Sequence, residues 1–155
     1  MSEGSDRAVS AADALGIEYG VTRHGRVSSL AEAAAARGLV PRQIVKTMVI
    51  RVTEGDYRFV LVPGDREISW PKLRALLGVN RLSMPPAEEA QAVTGYARGT
   101  ITPLGSLQAL PVVADASIAG TISIGGGDHG IAFTTEASDL FDALGAEVGD
   151  VTEPA

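Results

Sequence analysis

Ile44-Val45-Lys46-Thr47-Met48-Val49-Ile50-Arg51-Val52-Thr53-Glu54-Gly55-Asp56-Tyr57-Arg58-Phe59-Val60-Leu61-Val62 is the stretch on which the fold turns. Its two flanks are rich in β-branched and apolar residues, and Glu54-Gly55-Asp56 between them supplies the glycine of a tight turn. Two antiparallel strands, Ile44–Thr53 and Tyr57–Val62, are therefore expected. Strand alternation places Lys46 on one face with Met48 and Ile50, and Val45, Thr47 and Val49 on the other. A lysine there reads in two ways. It is an edge-strand cation whose stem snorkels to water, or a partly buried ammonium facing a ligand's carbonyl or phosphate oxygen.

Working outward from this hairpin, glycine and proline divide the rest of the chain. Upstream, Asp6–Leu15 carries Val9, Ala12 and Leu15 at helical spacing and stops at Gly16, and Ile17–Val21 reads as a short strand. Ser29-Leu30-Ala31-Glu32 has the form of a capping box, opening an alanine-rich helix that ends at Gly38. Downstream, Pro63-Gly64-Asp65 breaks the second strand, and Trp70–Leu77 reads as a helix with Pro71 in its first turn and Gly78 past its end. Pro86–Val93 reads as a short acidic helix. Pro111–Asp115, Thr121–Ile124 and Gly130–Thr134 read as strands, Ser138–Leu144 as a last helix and Val148–Val151 as a final edge strand. Hairpin links alternate with helical ones. That predicts an α/β fold of the mixed α+β kind, a twisted mixed β-sheet with flanking helices, rather than a doubly wound parallel sheet.

At 155 residues, with no linker, repeat or low-complexity tract, the chain is expected to be one domain over residues 5–152. The absence of cysteine excludes disulfides, thiolate nucleophiles and cysteine–metal sites. No window reaches the roughly 18 apolar residues of a membrane span, and the acidic start Met1-Ser2-Glu3-Gly4-Ser5-Asp6 lacks a signal peptide's features. The expectation is a cytoplasmic protein with no membrane partner. A net charge of −6 excludes a broad basic surface for a long duplex. Contact with nucleic acid would be local, at an end or a few phosphates.

Two further stretches concentrate glycine. Gly95-Tyr96-Ala97-Arg98-Gly99-Thr100-Ile101-Thr102-Pro103-Leu104-Gly105 has no periodic apolar face, and Pro103 stiffens it. A loop of that length is either a plain connection or a site built from backbone. Gly125-Gly126-Gly127-Asp128-His129-Gly130 lacks the Gly-x-Gly-x-x-Gly order and precedes a strand, so it is no dinucleotide or P-loop motif. His24 and His129 have no third ligand at zinc spacing, and no metal site is expected. No nucleophile elbow supports a serine triad built on His129 and Asp115.

Taken together, four stretches resemble the prolyl-tRNA editing-domain superfamily, the YbaK/ProX-type freestanding aminoacyl-tRNA deacylases. They are Val45-Lys46-Thr47-Met48-Val49, Val62-Pro63-Gly64-Asp65-Arg66-Glu67, the Gly-Tyr-x-x-Gly-x-x-x-Pro-x-Gly loop from Gly95 to Gly105, and Val113-Ala114-Asp115 with the glycine cluster after it. The resemblance covers nearly the whole chain in order. It implies a twisted mixed sheet whose crevice takes the aminoacylated 3′ end of a transfer RNA and hydrolyses the ester of a wrong amino acid. It implies no cofactor. Lys46 and Gly99 are then the catalytic positions. Thr47, Thr100, Ile101, Thr102, Pro103, Gly105, Gly125, Gly126, Gly127 and His129 are the substrate-binding ones. Arg98 and the Lys72, Arg74 and Arg81 group are candidate phosphate contacts, and Tyr19 and His24 match the family more loosely.

The family's glycine cluster usually begins with a serine and carries basic residues before its last glycine. Gly125, Asp128 and His129 stand there in this chain. Alanine, cysteine, serine and threonine all remain open as the amino acid removed, with the proline tRNA as the expected carrier and a synthetase as a further partner. Two other classes compete: a non-catalytic module that holds a tRNA 3′ end, a nucleotide or a synthetase, and a serine hydrolase of small esters.

Overall fold

The hairpin expected at the centre of the sequence is the spine of the fold. In the computed structural model, which describes residues 2–25 and 30–155, strand β2 (Val45–Thr53) turns at Glu54-Gly55 and pairs antiparallel with β3 (Asp56–Pro63). β3 then pairs in parallel with β5 (Val112–Asp115), and β5 in parallel with β8 (Glu147–Gly149). This four-stranded mixed sheet has β2 at one edge. The remaining strands form two smaller ladders. β1 (Tyr19–Arg23), β7 (Ile131–Glu136) and β6 (Thr121–Gly125) make an antiparallel sheet, and β4 (Arg66–Ile68) pairs with β9 (Thr152–Pro154). A parallel bridge from Ile44 to Ser123 ties β6 to the start of β2.

Among the described residues, five α-helices flank the strands: α1 (Glu3–Leu15), α2 (Leu30–Ala36), α3 (Trp70–Leu77), α4 (Ala87–Thr94) and α5 (Ala137–Leu144). The mixed sheet with flanking helices is the fold class read from the sequence, its strands divided over three ladders. The capping box read at Ser29 lies outside the described residues.

Both faces of the central sheet are covered, and the two-residue period of its strands sorts the core. Val45, Val49, Phe59, Leu61, Val112 and Ala114 point to one side, where α1, α4, α5 and the antiparallel sheet pack. Ile50, Val60, Val62 and Val113 point to the other, against Leu73 of α3 and Val151. A strand buried on both faces must be apolar without interruption, which is why β3 reads Phe59-Val60-Leu61-Val62. Each such side chain contributes about 1.5–3 kcal/mol through burial.

α3 forms where the sequence predicts it. Ser69 caps its first turn through its hydroxyl, Pro71 occupies the start, and Gly78 ends it in the left-handed region at φ 68°. Three elements differ from expectation. β1 is displaced from Ile17–Val21 to Tyr19–Arg23, because its ladder with β7 sets Val21 opposite Phe133. β4 and β9 form a ladder the sequence does not announce.

Candidate active site

A cleft of about 660 Å³ runs along the free edge of β2. One wall is β2 itself, from Ile44 through Val49; the other is Met84-Pro85-Pro86 with the first turns of α4; and the floor is Gly99, Ile101 and Gly125. Three cations, Arg37, Lys46 and Arg98, line it, and no carboxylate does among the described residues. On a chain of net charge −6 this is a local exception.

Lys46 is exposed at this edge. Its stem follows the face of Met48 and Ile50, and Nζ donates to the carbonyl oxygen of Arg66 at 3.1 Å. The ammonium therefore rests beside β4 rather than on the glycine loops. Thr47 points to the opposite face and lines the cleft, and its Oγ1 is buried without a partner among the described residues.

The floor is made by a turn over residues 97–100. Thr100 N–H and Thr100 Oγ1 both donate to Ala97 O, at 3.0 and 2.7 Å. Gly99 takes the third position at φ 86°, as a type II turn requires. Gly127 N–H donates to Thr100 O at 3.0 Å and fixes the turn to the second glycine cluster. Gly125 lets the two approach: a Cβ there would lie 2.7 Å from Ile101 O. The N–H groups of Thr100, Gly126 and Gly127 are committed to carbonyls, whereas those of Gly99 and Ile101 have no internal partner among the described residues.

Of the positions the resemblance carries over, Lys46, Thr47, Gly99, Ile101 and Gly125 meet in this cleft. Thr100, Thr102 and Pro103 are buried beneath it and shape the loop. Gly105 and Gly127 sit against α1, next to Arg7 O and Gly4 O, and Gly126 packs on Ile131. His129 is exposed at the margin, its Cε1 3.9 Å from where a Cβ on Gly99 would stand. Tyr19 is outside the cleft, its ring tilted against Phe133 with centroids 5.2 Å apart and its hydroxyl donating to Asp13 at 2.8 Å. Lys72 spends its ammonium on Asp150 and Thr152 O, both at 3.0 Å. Sequence reading missed Arg37 and the Met84-Pro85-Pro86 wall. The consecutive prolines ahead of α4 were the one available signal.

A mixed sheet whose edge carries a glycine-floored cleft lined by three cations defines a small α/β domain with a cationic crevice. The chain belongs to the aminoacyl-tRNA editing domain family, whose model matches residues 24–152. Over 94 residues it is 34% identical to a proline–tRNA ligase of Pelobacter propionicus, a match spanning 61% of this chain and 16% of the ligase. It is 40% identical over 77 residues to the proline–tRNA ligase of Thermosipho africanus, covering 50% of this chain and 13% of that one. The chain thus spans less than a fifth of the length of these curated relatives. A crystal structure described as a candidate trans-editing enzyme for prolyl tRNA synthetase superposes with a TM-score of 0.88 at 27% identity, over 99% of each chain.

Proposed function

We propose that the chain is an aminoacyl-tRNA deacylase acting in trans, which hydrolyses the ester between a mischarged small amino acid and the terminal ribose. The observation that carries this reading is the pair of uncommitted N–H groups at Gly99 and Ile101, set in a cleft lined by three cations. Water adds to the acyl carbon, the carbon–oxygen bond to the ribose breaks, and the proton lost by water ends on the ribose oxygen. The acid so formed gives its remaining proton to solvent, and the free amino acid leaves as its carboxylate.

An aminoacyl ester is already activated, so positioning and oxyanion stabilisation can supply most of the acceleration. Gly99 and Ile101 N–H receive the developing oxyanion. Lys46 releases Arg66 O and turns its ammonium toward the negative charge developing at the scissile ester. The attacking water is helped by the substrate's own neighbouring ribose hydroxyl, because no carboxylate or imidazole lines the cleft among the described residues. Val45, Met84 and Pro85 offer an apolar wall for a side chain the size of alanine, cysteine, serine or threonine. The proline tRNA is the carrier we expect, given the ligases this chain resembles.

The test is hydrolysis of Ala-, Cys-, Ser- and Thr-charged tRNA by wild type and Lys46→Ala in parallel. Loss of one acyl group by wild type alone supports the reading. The missing general base favours one alternative, a module that binds the charged end without turnover. Tight binding with every ester intact would establish that alternative instead.

A further inference from the structure

Arg37 follows the last turn of α2 and reaches into the cleft, half-buried. Nη1 donates to Ser123 Oγ at 3.0 Å, and Nη2 lies 3.4 Å from His24 Nε2. His24 Nδ1 lies 3.0 Å from Gly25 O, and in the tautomer protonated at Nδ1 the Nε2 atom accepts from Arg37. Neither partner is a carboxylate. Arg51 and Arg58, also partly enclosed, are paired with Glu89 and Asp56. Arg37 has no carboxylate within ion-pair distance among the described residues, and its Nε has no partner. Burial lowers its pKa, the direction expected of a cation short of compensating charge.

We propose that Arg37 is a phosphate-binding residue, and that the group it holds is the phosphodiester joining the last two nucleotides of the acceptor strand. This rests on reading the cleft as an acceptor-end site. Each Nη carries two hydrogens and spends one, so one N–H on each remains for an oxyanion approaching end-on. Of the three cations lining the cleft, Lys46 is exposed and held by Arg66 O, and Arg98 is exposed. Arg37 is the partly desolvated one, where attraction to an anion is screened least.

The chemistry of the substrate selects the phosphate. The acyl end carries a cationic amino group, which Arg37 repels, and small neutral side chains, which give it nothing to bind. The nearest anion is the terminal phosphodiester. Ser123 stands two residues from Gly125 on β6, roughly 7 Å along the strand, a gap that one nucleotide can bridge from the Gly99–Ile101 floor.

The full chain would be titrated with a cytidine-cytidine-adenosine trinucleotide and with the same molecule carrying an uncharged methylphosphonate at its last linkage. Wild type should bind the charged form about 10-fold more tightly. Arg37→Gln should lose that factor and no longer distinguish the two, and Arg37→Lys should recover part of it. Equal affinity of wild type for both overturns the proposal without reference to any variant. So does an Arg37→Gln variant that still discriminates, or one that weakens both equally. In parallel deacylation assays, a defect confined to tRNA charged with aspartate or glutamate would also overturn it, assigning Arg37 to the side chain. The titration needs no turnover, so failure of the deacylase reading would be seen separately.

Discussion

The guanidinium carbon of Arg7 lies 4.7 Å from the centre of the Tyr96 ring, and the same side chain fastens both ends of the glycine loop. Nη2 donates to Gly95 O at 3.0 Å and Nε to Gly105 O at 3.2 Å, while Tyr96 Oη donates to Leu104 O at 2.6 Å. A single residue of α1 thus closes the loop whose middle forms the cleft floor.

Arg7→Ala should remove two hydrogen bonds and a cation–π contact, a loss of about 2–3 kcal/mol in urea denaturation. Arg7→Lys keeps the charge, but its compact ammonium cannot span two carbonyls as the planar fork does. Both variants should lower the deacylation kcat more than they raise KM, because Arg7 touches no substrate and acts through the position of Gly99. An unchanged kcat in folded Arg7→Ala would show that the floor holds its shape without the clamp.

Lys46 offers the opposite pattern. It is exposed, and among the described residues its ammonium's one hydrogen bond is to a carbonyl at the surface, so Lys46→Ala should change stability by no more than about 0.5 kcal/mol. Its effect on kcat/KM should be at least about 100-fold, the scale of losing one charge that acts in the transition state. Thermal melts and single-turnover deacylation separate the two. A Lys46→Ala enzyme that retains its rate would remove this residue from the site.

Gly125 is held to glycine by proximity. A methyl group there would meet Ile101 O at 2.7 Å, a backbone atom that cannot swing aside. Gly125→Ala should displace the turn over residues 97–100 and cut kcat/KM by roughly 10–100-fold, as a misplacement near 1 Å does. The overpacking should cost about 1–3 kcal/mol. Gly20 has open space around it, so Gly20→Ala is the control and should leave the rate as it was.

Parts of this site were legible because their residues are contiguous. Val45 to Val49 and Gly95 to Gly105 carry β2 and the cleft floor as unbroken stretches, and hairpin and loop chemistry is local. Trp70–Leu77 was legible to the residue because Ser69, Pro71 and Gly78 mark both ends. Arg37 was not. Nothing in an alanine-rich helix shows that the arginine following it will meet Ser123, a separation of 86 residues, and no charge pattern marks it as lacking a counterion. The β4–β9 ladder was hidden for a related reason. Arg66-Glu67-Ile68 and Thr152-Glu153-Pro154 are short, polar and far apart, with no period of their own. Their pairing is imposed by the core between them.

That closure of the C-terminal segment depends on a buried carboxylate, and it gives the stability a defined response to acid. Asp115 ends β5 at 2% exposure. Its Oδ2 accepts from the amide and hydroxyl of Ser117, and its Oδ1 from Val151 N–H at 3.0 Å. Burial pushes its pKa upward, but the hydrogen bonds from Ser117, Val151 and Thr152 outweigh it and hold the carboxyl below its ordinary 3.8. A carboxyl depressed in the folded state contributes its full stabilisation above the unfolded value and loses it as pH falls through the folded one. Asp115→Asn should therefore cost about 2–3 kcal/mol at neutral pH. The gap from wild type should close as pH drops below about 4 toward 2. Urea denaturation of both proteins across that range is the measurement. A gap that stays constant with pH would mean that the charge of Asp115 contributes nothing to holding Val151 in place.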